Sequence, residues 1–144
     1  MKKKAPFKMP VYDQFLKIRL EAEESVNPSD VIIVQGGLLF CNEDLRSVFD
    51  LGIFIDTDDD VRLSRRVLKN AARPADQQIK LATLLKTYET KTKPAFEKFI
   101  EPTKKHAHII IPNYGFSPDN FALDKMTIQG LNTIVTDIKQ KVVR

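Results

Sequence analysis

The chain has 144 residues, 42% of them hydrophobic and 29% charged, the composition of a folded domain with room for one continuous core rather than of a disordered chain. Its 23 basic and 19 acidic residues leave a net charge of +4, a weak bias towards anionic ligands that falls well short of a nucleic-acid footprint. No apolar run approaches the roughly 20 residues that cross a bilayer, and the lysines at Lys2–Lys4 are not followed by an apolar signal core, so neither a membrane span nor a secretory signal is expected. Cys41 is the single cysteine; it excludes an internal disulfide and a cysteine-based zinc cluster, and suits a reducing, cytoplasmic setting.

In chain order, Phe7-Lys-Met-Pro-Val-Tyr12 reads as a loop. Val31-Ile-Ile-Val34, Ile53-Phe-Ile55 and Ile109-Ile-Ile111 read as strands apolar on both faces, which belong in a parallel sheet covered by helices. Asn42–Phe49 is long enough for a short crossover helix, which would complete a right-handed βαβ unit. Asp56-Thr-Asp-Asp-Asp60 offers caps and an acidic first turn to a helix over about Val61–Ala72, ended by Pro74. A second helix is expected from about Asp76 with Leu81, Leu84, Leu85 and Tyr88 as its apolar stripe. Pro94 fits the first turn of a further segment carrying Phe96, Phe99 and Ile100. A last helix from about Phe121 aligns Ile128, Leu131, Val135, Ile138 and Val142. The order β-α-β-α-α-β-α predicts one α/β domain over residues 1–144. A sheet of three strands leaves an open edge, so self-association or a partner is expected.

Few motifs carry chemistry alone. The five glycines Gly36, Gly37, Gly52, Gly115 and Gly130 form no G-x-x-x-x-G-K-[ST] phosphate loop. Asp56, Asp58 and Asp60 start like a calcium loop, but Val61 and Val67 stand where it needs glycine and glutamate, so helix capping is their expected role. His106 and His108 would share one side of a strand without a third ligand, which favours a solvated or hydrogen-bonded pair at a strand start over a metal site. Arg62, Arg65, Arg66 and Lys69 recur at helical spacing; this basic face is either solvated surface or, through its guanidinium forks, a phosphate holder.

Three segments taken together are more specific: Pro10-Val-Tyr-Asp13, Phe54-Ile-Asp-Thr-Asp-Asp-Asp-Val-Arg-Leu-Ser-Arg-Arg66, and Lys93-Pro-Ala-Phe-Glu-Lys-Phe-Ile-Glu-Pro-Thr-Lys-Lys105 followed by Ile109-Ile-Ile-Pro112. In this order and spacing the chain closely resembles uridine kinase (uridine–cytidine kinase), from about Met9 to the last helix. The resemblance implies a partial P-loop kinase-type parallel sheet flanked by helices, with lid helices over about residues 58–92. It implies transfer of the ATP γ-phosphate, with Mg²⁺, to the 5′-hydroxyl of uridine or cytidine in pyrimidine salvage, by positioning and charge neutralisation. By the same resemblance Tyr12 packs on the nucleoside base, Arg66, Arg73 and Tyr88 stand on the nucleoside side, Arg65 and Lys69 on the nucleotide side, and Asp119 near the adenine.

The chain departs from the family pattern at Gln35, where the family has an acidic residue near the magnesium; at Lys17, in place of a base-reading histidine; at Thr87, in place of a glutamine; and across Ala71–Gln78, which keeps only Arg73 of an arginine-rich turn. The family's P-loop, central first strand and general-base aspartate have no counterpart in these residues. The expectation is therefore a uridine kinase relative that is inactive as this chain alone, with no catalytic residue assigned. It is either one part of a kinase or a non-catalytic pseudokinase that binds a nucleotide or a full-length kinase subunit.

Overall fold

The structure, a computed structural model, describes residues 5–13, 16, 18–114 and 125–142. They group into two compact units, one reaching Val34 and the other covering Gln35–Lys141.

The first unit is built on an antiparallel hairpin, β1 (Phe7–Asp13) and β2 (Ile18–Val26), with Phe7 opposite Val26 and Asp13 opposite Ile18. This corrects the loop expected at Phe7–Tyr12. The overlooked signal is in β2, where Ile18, Leu20, Ala22 and Val26 alternate with Arg19, Glu21, Glu23 and Ser25 and so share one face. The register slips between Pro10 and Tyr12, as proline, which has no N–H for the ladder, commonly imposes. Asp13 supplies turn chemistry in the absence of glycine: its Oδ1 accepts from the Leu16 N–H at 2.9 Å.

Val31–Val34 is not a strand, a second correction. Its backbone belongs to no ladder, and Ile32 and Ile33 are 66% and 85% exposed. A two-faced apolar strand is held by a hydrogen-bonding neighbour and by cover on each side, and the described residues give this segment neither. The helix expected after it does form as α1 (Glu43–Val48), where Asn42 caps by accepting from the Leu45 N–H at 2.9 Å. Without its first strand it closes no βαβ unit.

The second unit holds a two-stranded parallel sheet, β3 (Ile53–Asp56) and β4 (Ile109–Pro112), paired from Ile53↔Ile109 to Asp56↔Pro112. Phe54 and Ile111 are buried while Ile55 and Ile110 stay half exposed, so the expected cover of both faces is incomplete. The last helix, α5 (Lys125–Val142), meets β4 at Gly130, where a Cβ would lie 3.0 Å from Ile111 side-chain carbons. At the other end of the sheet Gly52 is buried beneath Phe40, whose Cζ would lie 2.9 Å from a Cβ there.

Helix α2 (Asp59–Ala71) follows β3 with Asp58 at its N-cap position. The Asp58 side chain makes no capping bond; Asp60 instead accepts from the Val61 N–H at 2.8 Å. The next α-helix starts at Leu81 rather than Asp76: after a 3-10 turn at Ala75–Gln77 the chain is extended. Two amides hold it so. Gln78 Nε2 donates to the carbonyls of Ala71 and Arg73 at 3.1 and 2.8 Å, and the Asn70 side chain bonds both backbone groups of Ile79.

From Leu81 one helical rod runs on as α3 (Leu81–Thr87), a π turn (Tyr88–Thr92), the single turn α4 (Lys93–Ala95), a second π turn (Phe96–Ile100) and a 3-10 stretch (Glu101–His106). Pro94, expected to open a helix, sits inside this rod. It has no N–H to donate, and the ladder widens beside it, so that the Lys93 N–H reaches back five residues to the Tyr88 carbonyl. Of the expected stripe, Leu84 and Tyr88 are buried and Leu81 is exposed.

Candidate functional site

Strands β3 and β4 end together, and beyond their carboxyl ends the chain turns into α2 on one side and Asn113-Tyr114 on the other. In parallel sheets this is the end at which ligands bind. The Asn113 N–H prolongs the pairing by donating to the Asp56 carbonyl at 2.7 Å. The half-buried Asp56 carboxylate then gathers two donors on Oδ2, Lys104 Nζ at 2.5 Å and the Tyr114 hydroxyl at 3.0 Å. The Lys104 bond holds the Asp56 carboxyl below its ordinary range; partial burial opposes this, and the Tyr114 bond and nearby positive charge add to it. Reciprocally, the bond to Asp56 raises the Lys104 ammonium and the Tyr114 phenol above their ordinary values.

A second carboxylate, Asp59, sits one turn away along the chain at the start of α2. Its Oδ1 accepts from the Arg62 guanidinium and its Oδ2 from Lys93 Nζ at 3.1 Å. Arg62 also lies over the Phe96 ring, 3.4 Å from its centroid, a cation–π contact that joins α2 to the rod. Arg65, one turn on, donates to Asn113 Oδ1 at 2.9 Å and so ties α2 to the segment after β4.

The basic face expected on α2 therefore divides. Arg62 and Arg65 are half-buried and engaged within the fold, whereas Arg66 and Lys69 are exposed. Arg73 is exposed beyond the end of α2, where its carbonyl receives Gln78. Tyr88 is buried and donates its hydroxyl to the Asp59 carbonyl at 3.1 Å, a packing place. Thr87 turns its hydroxyl onto the Thr83 carbonyl of its own helix. Tyr12 is 56% exposed on β1, paired with Arg19 across the hairpin. Gln35 is exposed in the segment before α1. Asp119 and Lys17 lie outside the described residues.

The histidines are not neighbours on a strand, a further correction. His106 ends the 3-10 stretch, and His108 precedes β4 and accepts the Gly52 N–H on Nδ1 at 2.8 Å. Loss of hydration, with Arg46 and Lys105 nearby, lowers the His106 pKa from its ordinary value. Among the described residues no cluster of three or more histidine, cysteine or acidic side chains is placed to hold a metal ion. Sequence reasoning missed Asp56 and Lys104 as partners. Both lie inside the segments that carry the resemblance, but 48 positions apart, and in sequence Asp56 reads as part of a helix cap.

A model of the phosphoribulokinase / uridine kinase family matches residues 1–117. Uridine-cytidine kinase 2-B of Danio rerio is 37% identical over 127 residues, which are 88% of this chain and 46% of that protein. Uridine kinase of Lactobacillus helveticus is 36% identical over 125 residues, 85% of this chain and 56% of that protein. Uridine kinase-like protein 3 of Arabidopsis thaliana is 40% identical over 126 residues, 87% of this chain and 26% of that protein. The chain thus spans about half, or less, of the length of these curated relatives.

Proposed function

Because the chain belongs to the phosphoribulokinase / uridine kinase family, we propose that it carries the nucleoside-facing and lid part of a uridine–cytidine kinase fold and that, alone, it binds its ligands without transferring phosphate. The reaction of the whole fold joins the 5′-oxygen of uridine or cytidine to the γ-phosphorus of ATP, breaks the bond to ADP and releases the hydroxyl proton. The lid is the span of about residues 58–92, and the setting is the cytoplasm. Tyr12 offers its ring to the base, Arg66 and Arg73 their cations to the nucleoside or its phosphate, and Lys69 its ammonium to the nucleotide. Arg65 is assigned to the nucleotide side and Tyr88 to the nucleoside side, and Asp119, outside the described residues, is assigned to the adenine by the resemblance alone.

The observation that supports this reading is the assembly of the family-like segments 54–66, 93–105 and 109–112 around one point, the carboxyl ends of β3 and β4. The exposed cations Arg66, Lys69 and Arg73 fit an anionic ligand. The carboxylates Asp56 and Asp59 do not fit Mg²⁺ as they stand, since cations of the chain already occupy them; no step is routed through the metal. Transfer itself depends on phosphate-cradling amides and a base, and these 144 residues contain no G-x-x-x-x-G-K-[ST] motif. Gln35 and Lys17, uncharged or altered at positions the family uses, favour a second reading, a non-catalytic pseudokinase that binds a nucleotide or a full-length kinase subunit.

The purified chain, incubated with ATP, Mg²⁺ and uridine, is expected to form no UMP. ATP-dependent UMP formation that Arg66→Ala abolishes overturns the claim of inactivity and leaves the family site in place.

A further inference from the structure

The chain has three tyrosines, and two of them spend their hydroxyls inside the second unit in different ways. Tyr88 is 7% exposed and its ring is core. Tyr114 donates its hydroxyl to Asp56 Oδ2 at 3.0 Å, yet the residue is 42% exposed. A tyrosine kept for packing is buried, as Tyr88 is; here the polar tip is fixed while the residue stays 42% exposed. The tether is firm at both ends of the residue. On the backbone side, Asn113 is held by its N–H to the Asp56 carbonyl and by Arg65 to its side chain. On the hydroxyl side, the accepting carboxylate is itself fixed by Lys104.

A tethered aromatic face has already lost the rotamer freedom that a free surface tyrosine would give up on binding, so stacking on it costs less entropy. Tyr114 also stands at the carboxyl end of a parallel strand pair, where α/β sheets take ligands, and Lys104 and Arg65 lie beside it as cations. We propose that Tyr114 is a stacking platform for the planar base of a nucleotide at the carboxyl ends of β3 and β4. The inference rests on the proposed function only for the class of ligand.

With three tyrosines and no tryptophan, tyrosine-selective isotope labelling of the full chain gives a small set of ring signals, assigned by single Tyr→Phe substitutions. ATP titrated into the chain is expected to move the Tyr114 ring signals upfield, the mark of a stacked base. Tyr114→Phe keeps the ring and should hold the ATP affinity within about threefold, while Tyr114→Ala should lower it about tenfold, the weight of one base–aromatic stack. A hydroxyl with a merely structural role would lower the melting temperature of both variants and leave the affinity alone, which overturns the proposal. Tyr114 signals that stay still under ATP also overturn it, even when uridine moves the Tyr12 signals and so supports the nucleoside reading. The opposite pattern, Tyr114 moved by ATP and Tyr12 untouched by uridine, supports the platform and counts against the nucleoside role of Tyr12.

Discussion

Lys104 Nζ lies 2.5 Å from Asp56 Oδ2, joining the rod to the end of β3 across 48 positions of sequence. The same carboxylate oxygen receives the Tyr114 hydroxyl, so one acceptor holds together the three pieces of chain that meet at the carboxyl ends of the sheet. Loss of Lys104 leaves a half-buried carboxylate with a single neutral donor. A charge-assisted bond is worth about 1.5–3 kcal/mol; with the Lys104 side chain 37% exposed, solvent screening brings the expected cost of Lys104→Met to about 1 kcal/mol. Thermal unfolding should show a fall of a few degrees. A double-mutant cycle with Asp56→Asn should return most of this cost as coupling between the two residues.

The pH dependence follows from the directions of the shifts. Asp56 is lowered, so its contribution is present above the ordinary carboxylate pKa of about 4 and is lost as pH falls through its depressed value. Lys104 and Tyr114 are raised, so theirs is present below their ordinary values of about 10 and is lost as pH rises through the raised ones. Stability should therefore be flat between about pH 5 and 9 as far as this cluster is concerned. In Asp56→Asn both limbs should flatten; urea unfolding at pH 3, 7 and 11 checks this, and unchanged limbs would contradict it.

Gly52 is where the base of the sheet is tightest. Its N–H donates to His108 Nδ1 at 2.8 Å, its carbonyl accepts from the His108 and Ile109 N–H groups, and an added Cβ would meet Phe40 Cζ at 2.9 Å. Gly52→Ala should cost about 1–3 kcal/mol through displacement of the Phe40 ring. Phe40→Leu in the same chain should recover part of it, measured by denaturant midpoints.

The exposed apolar run Val31–Val34 should drive association. Four neighbouring apolar residues with an unpaired backbone, Ile33 among them at 85% exposure, form a ready template for strand pairing. Light scattering after size-exclusion chromatography should find species larger than a monomer at micromolar concentration. The double substitution Ile32→Lys, Ile33→Lys should shift them to monomer; a wild-type chain that is already a stable monomer would contradict the prediction.

Uridine or UMP should bind weakly, near millimolar, since one stack and one charged hydrogen bond together barely exceed the cost of immobilising the ligand. Chemical-shift titration should show Tyr12→Ala and Arg66→Ala each reducing the affinity several-fold. Shifts confined to other residues would remove both from the nucleoside site.

The sequence by itself determined the elements whose signals are local. The stretch Asn42–Phe49 and the acidic run Asp56–Asp60 announce helices within a few residues of where they form, and Ile53–Ile55 and Ile109–Ile111 carry enough β-branched bulk to be read as strands without knowing their partner. The resemblance to uridine kinase was legible for the same reason, because its segments are contiguous. Three matters were decided only in the tertiary structure. Val31–Val34 has as much strand propensity as β4, yet a strand needs a ladder, and pairing is a property of two segments. The extended link before Leu81 depends on Asn70 reaching Ile79 nine residues away and on Gln78 reaching back to Ala71 and Arg73. Above all, Asp56 reads in sequence as one of four similar aspartates before a helix. Only the meeting of β3, the rod and the end of β4 gives it Lys104 and Tyr114, because the energy of a charged hydrogen bond depends on a separation of a few ångströms that no count of residues encodes.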